Sequence, residues 1–65
     1  MTLVKRQRLI RGWSQSELAR RARVNQGTVS NIEAGKSNNP VTMKRVADEL
    51  DLKMEELLIE ELKTA

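Results

Sequence analysis

If Val29 and Ile32 turn to an interior, then at 100° per residue Gln26, Gly27, Ser30 and Asn31 share the opposite arc of one helix, with Thr28 on its flank. These side chains are small or carry amides. Glutamine and asparagine can pair with the N6 and N7 edge of adenine through two hydrogen bonds, and a glycine lets a helix lie close to the surface it reads. The same arc is also what a solvated polar face looks like, and the residues alone leave both readings open. Groups that could hold phosphate lie around it. Ser14 and Gln15 open the preceding helix, where free backbone amides point outward. Lys36, Asn38 and Asn39 follow the far end of the arc. Arg11, Arg20 and Arg21 are either further phosphate contacts or solvated cations.

Other chemistries are poorly supplied. The 65 residues include no cysteine and no histidine, so no disulfide or thiolate site is expected, and a transition-metal site is hard to build. Nucleophilic catalysis lacks its commonest base, and a carboxylate pair in a cleft needs more walls than one small domain supplies. We expect no catalytic residues, no metal, no cofactor and no small-molecule ligand. The chain shows no apolar run near 18 residues and no signal-peptide pattern in its opening MTLVKRQRLIRG. It therefore reads as a soluble cytoplasmic protein with no membrane partner. Its charge is segregated: residues 1–45 carry ten basic against two acidic side chains, a net +8, whereas residues 46–65 carry two against seven, a net −5. A phosphate backbone attracts the first part and repels the second.

The elements that would position these groups are all helices. No stretch alternates as a half-buried strand does. The first helix, about Thr2 to Arg11, places Leu3, Val4 and Ile10 on one arc, with Gln7 in its middle, and ends at Gly12. The second starts at Ser14, with Glu17 completing an S-x-x-E capping box and Trp13 stapled to Leu18, and buries Leu18, Ala19 and Ala22. Asn25 caps the third, which turns Val24, Val29 and Ile32 inward and stops at Gly35. Asn39 caps the fourth, with Pro40 at its first position and Met43, Val46, Ala47 and Leu50 as its apolar stripe. The fifth, about Met54 to Lys63, carries Met54, Leu57, Leu58, Ile59 and Leu62.

Only Arg23 and Val24 separate Ala22 from the cap at Asn25, so the second and third helices must turn sharply against each other. That is helix-turn-helix geometry over about residues 15–34. The run GWSQSELARRARVNQGTVSNIEAGK resembles the Cro and lambda-repressor-like, or XRE-type, helix-turn-helix family. With VKRQR before it and PVTMKRVADELDLKMEELL after it, the resemblance covers nearly the whole chain. It implies an all-α, compact five-helix bundle, a single DNA-binding domain over residues 1–65, with the third helix in the major groove of double-stranded DNA.

The resemblance also implies roles. Gln26, Gly27, Ser30 and Asn31 would contact bases, and Ser14, Gln15, Thr28, Lys36, Asn38 and Asn39 the backbone. Arg8 matches an arginine that pairs with the glutamate at Glu33, tying the first helix to the third. The chain departs from the family pattern at Arg23 and Asp51, which stand where glycine is usual. It departs again at Lys53, which replaces a serine or threonine cap, so a loosely started fifth helix is expected.

That fifth helix shows more apolar surface than one core contact uses. Leu58, Ile59 and Leu62, with Leu52 before them, would form a homodimer contact, although Glu55, Glu56, Glu60 and Glu61 repel across a twofold axis. The expected function is a prokaryotic or phage-encoded transcription regulator of repressor or controller type, reading a palindromic operator as a dimer. The alternative is a protein-interaction or antitoxin-type adaptor in which DNA binding is secondary. An RNA-binding adaptor is weaker still, since Trp13 is the sole aromatic residue.

Overall fold

A computed structural model describes residues 2–36 and 39–64, with side chains through Glu60. The described residues form five helices: α1 (Leu3–Ile10), α2 (Gln15–Ala22), α3 (Gln26–Glu33), α4 (Pro40–Glu49) and α5 (Met54–Thr64). Each of the first four begins where a short polar side chain takes up an otherwise orphaned amide. Thr2 accepts from the Lys5 amide, Ser14 from Glu17, Asn25 from Thr28 and Asn39 from Val41.

Those four helices also end alike. Gly12 (φ 73°), Arg23 (φ 61°), Gly35 (φ 80°) and Asp51 (φ 56°) adopt left-handed backbone, and the next residue's amide folds back onto a carbonyl five positions earlier. The bonds run from Trp13 to Arg8, Val24 to Ala19, Lys36 to Asn31 and Leu52 to Ala47, at 2.8 to 3.1 Å. This closes each last turn and redirects the chain within two residues. Arg23 and Asp51 do so without glycine's freedom, at a cost of about 1 kcal/mol for a residue with a Cβ.

α2 lies at the centre, packed on both α3 and α4. Leu18 is wholly buried, and the small Ala19 and Ala22 beside it let the helices approach closely. Val4 from α1, Val29 and Ile32 from α3, Val46, Ala47 and Leu50 at α4, and Leu57 from α5 complete the core. Trp13, Val24, Met43, Leu52 and Met54 pack around its edge. The whole has a radius of gyration of 10.4 Å, that of a compact chain of this length.

Three expectations are corrected. Ile10 does not join the buried arc of α1: its side chain is 69% exposed, and Arg8 is buried on that helix instead. An arginine occupies that place because its charge is fully matched inside. The capping box at Ser14 forms by half. The Glu17 amide donates to Ser14 Oγ, but the Glu17 carboxylate turns to Arg20 at 2.7 Å and Arg21 at 3.6 Å, whose guanidinium charges outbid a neutral amide. α5 does not begin loosely, because the Lys53 amide donates to Glu56 Oε1 at 3.1 Å, supplying the glutamate half of a cap that lacks its hydroxyl. Leu52 is half-buried, packed against the core.

Candidate nucleic-acid interface

α3 is eight residues long, so only about two turns are available to read anything. Val29 and Ile32 anchor it in the core. Gln26, Gly27, Ser30 and Asn31 are all exposed on the other side, as the angular sorting requires. None of these four contributes to the interior. Gly27 is the most informative, because the fold has no use for it. Its φ is not positive, and a Cβ added there would meet only Asn25 Oδ1, at an ordinary 3.5 Å. Glycine inside a helix costs about 1 kcal/mol relative to alanine. The packing of the fold gives no reason for a bare helix surface at this point.

Gln26 is held from across the turn. Ser16 Oγ donates to Gln26 Oε1 at 2.9 Å, which restrains the glutamine while its amide nitrogen can still donate outward. Sequence reading missed Ser16. The available signal was a short hydroxyl on the first turn of α2, in a geometry that brings that turn beside the start of α3. Thr28 is more internally committed than a pure phosphate contact, since its hydroxyl donates to the capping oxygen of Asn25 at 2.9 Å.

The base of the interface is a charged cluster. Arg8 Nε donates to Glu33 Oε2 at 2.6 Å, and its Nη2 donates to Oε1 at 3.1 Å. Its Nη1 donates to the Trp13 carbonyl at 2.8 Å. Gln15 Nε2 donates to Glu33 Oε1 at 3.1 Å, leaving its second amide hydrogen for another acceptor. The Arg8 and Glu33 side chains are 9% and 5% exposed, and among the described residues no buried side-chain polar atom lacks a partner. A buried pair satisfied on every side avoids the uncompensated desolvation that makes such pairs costly. One cluster thus joins α1, the turn before α2, the first residue of α2 and the last of α3.

The remaining cations divide by partner. Arg21 stacks over the Trp13 ring at 4.4 Å and Arg11 at 5.7 Å, so both serve the edge of the core. Arg20 pairs with Glu17. Lys36 stands exposed just beyond the left-handed Gly35, at the end of α3 that Gln15 reaches through Glu33 rather than at the opposite end. Asn39 caps α4 through its side-chain oxygen, and Asn38 lies outside the described residues. On α5, Leu58 and Ile59 are half-exposed, and the Leu62 side chain lies outside the described residues. No helix among the described residues is long and apolar enough to cross a membrane.

A family model described as helix-turn-helix (HTH_3) matches residues 4–57, which include α1 through α4 almost entire and the start of α5. No curated protein and no solved structure matches the chain.

Proposed function

The chain belongs to this XRE-type helix-turn-helix family of DNA-binding regulators, and from that premise we propose that residues 1–65 act as one sequence-specific repressor or controller of transcription. α3 enters the major groove, where Gln26 and Asn31 read base edges, Ser30 adds a hydroxyl, and Gly27 admits the close approach. Ser14, Gln15, Lys36, Asn38 and Asn39 hold the backbone around it, with Thr28 on the flank. Two copies bind a palindromic site with half-site centres about 34 Å apart. The protein carries out no catalysis, needs no cofactor, and works in the cytoplasm of a prokaryote or of a phage's host.

The observation that supports this reading best is the outward face of α3. It is polar, exposed, free of core duties, and interrupted by a glycine that weakens the helix. A solvated face has no reason to keep that glycine.

Fluorescence titration with random duplex at two salt concentrations, followed by selection of bound sites from a random library, tests the proposal. Affinity for random duplex should fall steeply with salt, since each neutralised phosphate releases counterions, and the selected sites should share a twofold motif. Binding that ignores salt, or a library that yields no common sequence, would favour the protein-interaction alternative.

A further inference from the structure

α1 and α5 lie along one flank of the molecule and run in opposite directions. At one end the Leu3 amide donates to Glu60 Oε2 at 2.7 Å. At the other, Arg11 Nη2 donates to the Leu50 carbonyl at 3.2 Å and stands 3.5 Å from Asp51, in the turn that leads into α5. Both helices leave apolar residues in solvent, and the helical period sets each on the exposed side beside these contacts. Ile10 is 69% exposed on α1 and Ile59 is 52% exposed on α5. Each is accompanied by charge of one sign: Arg6 lies one turn before Ile10, and Glu55 one turn before Ile59. Both charged side chains are exposed, and neither has an ion-pair partner among the described residues.

A twofold contact must be complementary to itself. Two α5 helices laid on each other would set Glu55 and Glu56 against their own copies. A patch that is basic along one helix and acidic along its antiparallel neighbour has no such conflict, because rotation by half a turn brings each half onto the opposite one. We propose that the partner covering this flank is a second copy of the chain, with α1 of each protomer seated on α5 of the other. Arg6 then faces Glu55 of the partner subunit, and Ile10 packs beside the partner's Ile59, twice per dimer. This rests on the dimeric reading above and replaces the seam in which α5 meets α5.

Sedimentation equilibrium of the whole chain, free and on its selected full site, tests the seam with wild type, Arg6→Glu, Glu55→Lys, the double exchange, and Ile10→Ser. Circular dichroism confirms that each variant folds. Either single charge exchange should weaken association about fivefold or more, because two exposed ion pairs become two like-charge contacts. The double exchange should restore it, and Ile10→Ser should weaken it without altering charge. Association of the wild type should fall as sodium chloride rises, because attraction between exposed charges is screened.

An α5 to α5 dimer gives opposite signs. Arg6→Glu would leave it unchanged, Glu55→Lys would not weaken it because one like-charge pair replaces another, and salt would promote it. Any of those results overturns the proposal, as does a wild type that stays monomeric both free and on the full site. Failure of the DNA reading is distinguishable, since it appears as wild-type protein that does not bind duplex while its free association is read separately.

Discussion

Arg8 and Glu33 meet edge to edge, with guanidinium Nε and Nη2 donating to the two carboxylate oxygens at 2.6 and 3.1 Å. The two residues lie 25 positions apart, one on α1 and the other at the last position of α3. Because Gln15 donates to the same carboxylate and Arg8 also reaches the Trp13 carbonyl, the pair sets where α3 sits relative to the helix that precedes it. This is a scaffold function carried by charge rather than by apolar packing.

Arg8→Met should therefore cost about 3 to 5 kcal/mol, because Glu33 would be left buried and uncompensated. Thermal melting should register it strongly. The salt slope of duplex binding by the protein that remains folded should hardly change, because a paired arginine releases few counterions. A slope reduced by about one unit with unchanged melting would instead make Arg8 a phosphate contact.

Gln26→Ala should weaken the preferred site by about 1 to 3 kcal/mol and relax preference at one base pair, whereas Lys36→Ala should weaken all sequences about equally. Ser16→Ala should act in the same direction as Gln26→Ala but more weakly, because it frees the glutamine without removing it. Competition binding with single-base variants of the site reads all three. Equal loss on specific and random duplex for Gln26→Ala would remove that residue from base reading.

Gly27→Ala separates folding from binding. The fold should gain about 0.5 to 1 kcal/mol from the better helix former, raising the melting temperature by roughly 2 to 8 °C, with no clash to offset it. Affinity for the full site should fall, because a methyl group then stands between α3 and the groove floor. Unchanged affinity would show that α3 approaches the bases elsewhere.

Arg23→Gly relieves the left-handed cap at φ 61°. Part of the gain of about 1 kcal/mol is lost to the greater freedom of glycine in the unfolded chain, so a net stabilisation near 0.5 kcal/mol is expected. Urea denaturation measures it. A destabilised variant would mean that the Arg23 side chain, which lines a groove with Arg45, Asp48 and Glu49, contributes more there than the strain removes.

The sequence by itself determined where the helices begin and turn, and which side of each is buried. Ser14, Asn25 and Asn39 act on amides two or three residues away, and Leu18, Val29, Ile32, Val46 and Leu50 follow from the helical period, so nothing distant is needed to read them. The exposed arc of α3 follows from the same period. Resemblance to the family added the Arg8 and Glu33 pair, which no local rule would have linked. Tertiary structure alone decided the partners of the long side chains. Ser16 came to hold Gln26, Arg11 and Arg21 came to lie over Trp13, and Glu17 chose arginines over its cap. Ile10 was left outside and Arg8 taken in. A long flexible side chain can reach several neighbours at similar energy, and which neighbour stands within reach is set by how helix ends meet across the fold, a relation that spacing along one helix does not contain.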